Sequence, residues 1–239
     1  MIYLIESDYS ADSLRWLKKK EEKNIPYNKT FSKKELDILR EEIIKTNDAA
    51  FAYFISVETP YKIHLMQKVI LDNKNAKYAT LFAQNIKNCD IVALQKVVVS
   101  SKKIKYICKF ACSVIGSDLK SLEQMIIKAN DPKYAHMYLK YIKPNNILPF
   151  KKIILTSNKP RYLFELAKHL QNKREISRIE NLIIASNSFL YMRLLAQKIK
   201  GVNIEKIERA VLKSGNAVEI KKFAKAVKRS KMRHFLLID

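Results

Sequence analysis

A tyrosine recurs along the chain at an almost constant spacing. Tyr78, Tyr106, Tyr134, Tyr162 and Tyr191 are separated by 28, 28, 28 and 29 residues. Apolar residues keep the same period in three further series, which are Ala83, Ala111, Leu139, Ala167, Ala196 and Ala224, then Ile86, Val114, Ile142, Leu170, Ile199 and Val227, and finally Ile70, Val98, Ile126, Ile154, Ile183 and Val211. Several positions that hold one period over about six copies predict a stacked array, in which each copy packs on its neighbours.

Each copy contains the signals of two short helices. The first, which we call helix A, includes the tyrosine and follows a capping residue three positions before it. Those caps are Asn75, Asp131, Ser188 and Asn216, with Lys103 and Lys159 in two other copies. Pro132 and Pro160 come next, at a first helical position where the missing N–H has no cost. The second, helix B, follows Asp90, Asp118, Asn146 or Asn203, and its apolar residues are spaced by three and four, which is typical of one helix face.

The residues around the array are predicted to cap it. Residues 1–40 form a nearly charge-neutral N-terminal helical cap that includes Trp16, residues 41–228 form the repeats, and residues 229–239 form a C-terminal cap. Ser32 and Glu35 have the spacing of a capping box, which predicts a helix from there to about Lys45. We therefore predict an all-α fold, an α-solenoid of about seven stacked helix-turn-helix repeats in the style of HEAT and tetratricopeptide arrays, with capping helices at both ends.

The pattern Y…FA..I…DI..LE..II, over roughly residues 41–228, resembles the 28-residue helical-hairpin repeats of uncharacterised giant-virus and AT-rich bacterial proteins. The resemblance implies an α-solenoid, and it suggests a viral protein inside a host cell. It implies no activity, because such arrays have no known functional residues. The chain departs from the pattern at Glu219, which stands where a tyrosine is expected.

The net charge of +23 belongs entirely to the repeats. Residues 1–48 contain ten basic and ten acidic residues, so the whole excess lies in residues 49–239. The helix A segments (76–87, 104–115, 132–143, 160–171, 189–200 and 217–228) contain 16 Lys and Arg and two acids, whereas the helix B segments (91–100, 119–128, 147–156, 176–185 and 204–213) contain nine and four. AT-rich codon use explains a general lysine excess but no preference for one helix layer. The bias indicates a polyanionic partner.

The predicted nucleic-acid-binding residues lie in helix A. Lys77, Lys105, Lys133 and Arg161 come directly before the tyrosine, Lys140, Lys168 and Lys225 come six residues after that position, and Lys221 and Lys228 belong to the last copy. A cation in the first turn of a helix is mildly unfavourable, because it lies at the positive end of the helix dipole. A phosphate that shares the site with free backbone N–H groups would explain its repetition. Alternatively, the long side chains cover neighbouring apolar surface.

Motifs of catalysis and metal binding are not apparent. The chain contains no Gly-rich phosphate loop, HExxH, nucleophile elbow or paired-cysteine zinc pattern. Cys108, Cys112 and His136 could contribute to a metal site, although such cysteines more often pack as small apolar residues. The tyrosines could stack on bases, but a core role is more common. We expect no catalytic residue, no cofactor and no metal.

The same sequence predicts an intracellular protein, either cytoplasmic or nuclear. No apolar run is long enough to cross a membrane, the first residues are too short and too acidic for a secretory signal, and three cysteines form no even disulfide framework. The predicted function is non-enzymatic binding of RNA or DNA through backbone phosphates, largely independent of base sequence. The alternative is a protein–protein interaction scaffold that accepts an acidic partner in its groove.

Overall fold

A computed structural model describes residues 32–59, 62–228 and 230–232. These residues contain fourteen α-helices and no β-strand, so the predicted all-α fold class is confirmed. In chain order the helices are α1 (Lys33–Thr46), α2 (Ala49–Glu58), α3 (Ile63–Asn73), α4 (Ala76–Asn85), α5 (Ile91–Ser100), α6 (Ile104–Ser113), α7 (Leu119–Ala129), α8 (Pro132–Ile142), α9 (Leu148–Thr156), α10 (Pro160–Ala167), α11 (Lys173–Ala185), α12 (Phe189–Lys198), α13 (Ile204–Lys213) and α14 (Ala217–Ala226). The predicted helix around Trp16 and the predicted C-terminal cap at Phe235–Ile238 lie outside the described residues.

Most helices begin at the residues that the sequence indicates. From α4 onward the even-numbered helices are helix A and the odd-numbered ones are helix B. Asn75 accepts the backbone N–H groups of Lys77 and Tyr78, and both hydrogen bonds of the Ser32–Glu35 capping box are present. Ser188 occupies its predicted N-cap position without a side-chain hydrogen bond to the helix. The starts of the helices are therefore encoded locally, by polar side chains that accept first-turn N–H groups.

Helix A is shorter than its apolar pattern suggests. In four copies it ends seven residues after the tyrosine position, and the next residue is buried in extended backbone. That residue is Ile86, Val114, Ile199 or Val227. The apolar side chain eight residues after the tyrosine position thus enters the core from the turn between two helices and not from the helix. The period of this position therefore comes from a turn of constant geometry, whereas the other apolar positions repeat because they share a helix face.

The chain divides into two compact units, up to Leu122 and from Glu123 onward, with the boundary inside α7. Within the first unit each of α1–α4 packs against the following helix and the one after it; α2, for example, contacts α3 and α4, and α4 contacts α5 and α6. The core between them includes Met66, Ile70, Phe82, Leu94 and Val98, which are fully buried. The first unit is thus built from helical hairpins that pack side by side.

The second unit repeats this arrangement with α8–α14. Helix α8 contacts α9 and α10, α10 contacts α11 and α12, and α12 contacts α13 and α14. The periodic helix B residues Ile126, Ile154, Ile183 and Val211 are all buried at its core. Four residues after each tyrosine position, in both units, stands a buried side chain, and these are Phe82, Phe110, Tyr138, Leu166, Leu195 and Phe223.

A polar series with the same period was not apparent from the apolar pattern. We call it the clamp series, and its members are Gln67, Gln95, Glu123, Lys151, Glu180 and Glu208. In four of them a side-chain oxygen accepts the backbone N–H of the residue 23 positions later, over 2.8–2.9 Å. These four contacts join α3, α5 and α11 to the residue before the next odd-numbered helix, and α13 to Lys231, so the four residues tie successive copies together within their units. Glu123 instead accepts from the Tyr138 hydroxyl over 3.1 Å.

Candidate nucleic-acid interface

The first unit presents two of the predicted binding cations on adjacent helices. Lys77 and Lys105 occupy the second residue of α4 and of α6, which pack against each other. Each ammonium lies over the ring of the following tyrosine, with Nζ to centroid distances of 5.0 Å at Tyr78 and 5.7 Å at Tyr106. Tyr78 is buried and Tyr106 is half-buried.

The second unit repeats the same contact on α8 and α10. Lys133 lies 5.4 Å from the centroid of Tyr134, and the Arg161 guanidinium lies 5.9 Å from that of Tyr162. Cation–π contacts at exposed sites contribute about 0.5–1 kcal/mol each. The contact with the ring therefore offsets the unfavourable interaction of the cation with the helix dipole. This explains the repeated cation on structural grounds, as an alternative to the predicted phosphate. Lys105, Lys133 and Arg161 are exposed and form no ion pair with any residue that the structure describes.

The helix N-termini beside these cations fall into two classes. On α4 and α8 the cap side chains of Asn75 and Asp131 accept the N–H of the cation itself, at 3.0 and 2.8 Å. On α6 and α10 the caps are Lys103 and Lys159, whose side chains make no cap hydrogen bond. At these two N-termini, one in each unit, no cap side chain accepts the first-turn amides. Two cations lie beside those amides, Lys103 and Lys105 at α6 and Lys159 and Arg161 at α10. Such a group is suited to an anion.

Lys140 and Lys168 share another position, on α8 and α10. Lys140 is exposed and lies 5.2 Å from the centroid of Tyr141. Lys168 lies 4.7 Å from the centroid of Phe164 and donates to Glu165 over 2.7 Å, so part of its charge is neutralised. The predicted cations of the last copy are also exposed, and these are Lys221 and Lys225 on α14 and Lys228 two residues after its end.

His136 lies half-buried among these groups, with its ring 6.0 Å from that of Tyr162. Burial lowers the pKa of His136, and nearby cations lower it further although Glu165 acts in the opposite direction. Burial would raise the pKa of Glu165, but the hydrogen bond from Lys168 and the surrounding cations lower it overall. At neutral pH this part of the second unit therefore has a neutral imidazole, an ionised carboxylate and several exposed cations.

The basic series does not extend to the last copies. The residue before the tyrosine position is Leu190 on α12 and Val218 on α14, and these side chains are 49% and 60% exposed. On α14 the acidic Glu219 replaces the tyrosine and contacts both Lys222, at 2.7 Å, and Arg193, at 3.6 Å. These two helices thus present apolar side chains where α4, α6, α8 and α10 present cations.

Two of the three residues considered for a metal site, Cys108 and Cys112, lie one turn apart on α6. Cys108 is buried, and its hydrogen bond with Cys112 lowers the pKa of the Cys112 thiol. Among the described residues, no group of three or more His, Cys, Asp and Glu side chains is arranged to hold a metal ion. Within the same ranges, every helix is too short or too polar to span a bilayer.

Comparison of the chain with protein-family models, with curated proteins and with solved structures gave no match. Inference about function therefore depends on the charge and geometry of the chain itself. Two features of that geometry were not apparent from the apolar pattern. One is the pair of N-termini without a side-chain cap, for which Lys103 and Lys159 in place of Asn, Asp or Ser are the signal. The other is the exception in the clamp series, where Lys151 replaces Gln or Glu.

Proposed function

We propose that the hairpins of each unit are α-solenoid repeats and that the protein binds nucleic acid through backbone phosphates, with the helix A cations as the contacts. The observation that carries the proposal is the recurrence of a cation at the second residue of four helix A segments, on helices that pack side by side within a unit. The N-termini of α6 and α10, which have no side-chain cap, are the strongest phosphate positions.

The spacing of the helices suits a charged polymer. Packed helices have axes about 8–10 Å apart, and a nucleic-acid strand has one charge per roughly 3.4 Å of helix rise. Equivalent cations on α4 and α6, or on α8 and α10, would thus meet about every third phosphate. Lysine side chains are flexible point charges that position a backbone and read no base. We therefore propose binding largely independent of sequence, in the cytoplasm or nucleus.

The proposal is tested by two variants that each lose four charges. One replaces Lys77, Lys105, Lys133 and Arg161 with glutamine, and the control replaces Lys96, Lys120, Lys152 and Arg209, which are exposed residues of helix B. Fluorescence anisotropy with single-stranded RNA, single-stranded DNA and duplex DNA measures the affinity. We expect the helix A variant to bind at least tenfold more weakly than the control, because charge-assisted hydrogen bonds to phosphate contribute about 1.5–3 kcal/mol each.

Equal losses in the two variants would mean that only net charge matters, and no binding by the parent would remove the proposal. Stability provides a check on the interpretation. The helix A variant loses four cation–π contacts but also removes four cations from helix N-termini, and these effects oppose each other. We expect the free energy of unfolding to change by less than about 1–2 kcal/mol. A collapse of stability would instead assign the cations a structural role.

A protein partner is the second candidate, and one observation favours it. Leu190 and Val218 are exposed at the position where other copies have cations, and exposed apolar side chains of this kind occur at protein interfaces. A scaffold with basic and apolar helix A surfaces would accept a partner that carries acidic and apolar residues. An acidic, leucine-containing peptide that binds with nanomolar affinity, while RNA and DNA do not bind, would favour this candidate.

A further inference from the structure

The clamp series has one member that cannot act as the others do. The clamp residues Gln67, Gln95, Glu180 and Glu208 accept a backbone N–H with a side-chain oxygen. Lys151 has no acceptor, since an ammonium group only donates hydrogen bonds. Its Nζ instead contacts Glu175 over 2.8 Å, in the first turn of α11. Glu123 makes a different contact and accepts from the Tyr138 hydroxyl, so Lys151 is the one member whose side chain has no acceptor. A local rule that one side chain cannot follow marks a place where a specialised site is expected.

A cavity lies beside this exception, within the second unit. It has a volume of about 490 Å³, is open to solvent on one side, and is lined by the ends of α8 and α10, the segments that follow them, and parts of α9 and α11. The volume falls in the roughly 300–1,000 Å³ range of small-molecule sites. Its walls combine apolar side chains, among them Leu139, Ile147 and Leu166, with four basic residues, which are Lys140, Lys143, Lys151 and His169.

The charges of the cavity favour an anion. Three lysines and the single acid Glu175 leave a formal charge of +2 on the lining, before any contribution from His169. The Lys151 side chain is only 14% exposed, so its charge is partly desolvated, whereas the Glu175 side chain is 42% exposed to water. An interaction with a partly desolvated cation is stronger than one at the open surface. A dianion with an apolar body matches both the charge and the apolar walls.

We propose that this cavity binds a phosphate monoester, with Lys151, Lys143 and Lys140 around the phosphate and the apolar walls around its organic group. A phosphate monoester carries a charge of about −1.5 to −2 at pH 7. The ester could be a free nucleotide or the 5′-terminal phosphate of a strand, and only the second source rests on the proposed function. In either case the cavity takes one terminal phosphate and not a continuous backbone; Lys140 belongs both to it and to the helix A cations, whereas Lys151 belongs to the cavity alone.

Titration calorimetry with adenosine 5′-monophosphate tests the cavity with a free phosphate monoester. We expect saturable binding that adenosine does not reproduce. Lys151→Gln, which introduces the residue of the clamp positions 67 and 95, should weaken binding about tenfold or more. Lys143→Gln changes an exposed residue and should also weaken binding. Lys152→Gln is the matched control, because it removes a charge from an exposed position of the same helix without touching the cavity.

A 5′-phosphorylated oligonucleotide and the same strand with a 5′-hydroxyl test the other source. A preference for the phosphorylated end that Lys151→Gln abolishes would identify the strand end as the ligand, even if the mononucleotide does not bind. If neither the mononucleotide nor the phosphorylated end depends on Lys151, or if Lys152→Gln has the same effect, the proposal is wrong. Binding of the 5′-hydroxyl strand reports the helix A surface alone, so the two proposals can fail separately. Circular dichroism of each variant confirms that it folds.

Discussion

His136 illustrates how a single side chain in the repeat acquires its properties from the neighbouring copy. It belongs to α8, but the groups that act on it include Tyr162, Glu165 and Arg161 of α10. At the corresponding position of α6 stands Cys108, which is fully buried. The histidine is only half-buried, so it is partly desolvated while it remains within reach of the surrounding charges.

We predict that His136 makes the protein less stable in mild acid. Its pKa in the folded state is lowered from the ordinary value of 6.5, chiefly by burial, so the unfolded chain binds a proton more readily. The neutral imidazole therefore contributes stability above pH 6.5 that is lost as the pH falls towards the folded-state pKa. Urea denaturation of the parent and of His136→Gln at pH 7.5 and pH 5.5 measures this loss.

His136→Gln should lose less stability than the parent between these two pH values. His64→Gln serves as the control, since His64 is an exposed residue of the first unit. An identical pH dependence in the parent and in His136→Gln would contradict the prediction.

At the scale of the helix, the clamp contacts are the feature with the clearest energetic consequence. The Gln95 side chain is buried, accepts the N–H of Asp118 over 2.8 Å and donates to its carbonyl over 3.4 Å. It thus satisfies both backbone groups of the residue that caps α7. Helices of about ten residues are marginal in isolation, so contacts between copies supply much of their stability.

We predict that Gln95→Met destabilises the protein by about 0.5–1.5 kcal/mol, because it removes the acceptor of the part-buried Asp118 N–H while it keeps the size of the side chain. Gln84→Met is the control, since Gln84 is an exposed residue of α4. Urea denaturation followed by circular dichroism gives both free energies of unfolding. Similar values for Gln95→Met and Gln84→Met would show that the clamp contributes little.

The sequence allowed the helices to be predicted but not the contacts between them. Helix starts were predictable because Asn75, Asp131 and Asn216 act on amides two or three residues away. The clamp was not, because the partner of Gln95 is a backbone N–H, which leaves no trace in the identity of the partner residue. The turns before helix A were also hidden. Their left-handed residue is lysine twice, asparagine three times and glycine once, in the series Lys74, Lys102, Asn130, Asn158, Asn187 and Gly215.

At the scale of the whole molecule, charge is the dominant property. The excess of +23 resides in residues 49–239, and the helix A segments hold 16 of the 36 Lys and Arg residues there with only two acids. The positions of these cations could be predicted because they follow the tyrosine register. Their contacts with the tyrosine rings could not, since the apolar pattern suggested that those rings point into the core. Four of the five rings are in fact half-buried, and three of these contact the preceding cation, as the buried ring of Tyr78 also does.

We predict a steep dependence of nucleic-acid affinity on salt. The logarithm of the binding constant should fall linearly with the logarithm of the salt concentration, with a slope of about −0.9 per contacted phosphate of duplex DNA and −0.7 for single strands. Anisotropy titrations at three KCl concentrations measure the slope. The helix A variant should give a shallower slope than the helix B control. It forms fewer phosphate contacts, so its binding releases fewer counterions. A slope near zero for the parent would be incompatible with binding through phosphates.

The clamp has a consequence for how such a chain can change over evolutionary time. Gln95 binds the main chain of Asp118, and every residue except proline offers the same N–H group. A hydrogen bond of this kind does not depend on the side chain of the residue that donates it. After an in-frame duplication or deletion of 28 codons, the glutamine could therefore form the same hydrogen bond with the residue that comes to lie opposite it. That residue would need no compensating substitution. At Lys151 the contact between copies is an ion pair between two side chains, those of Lys151 and Glu175. There a gain or loss of a copy would require both residues to change together.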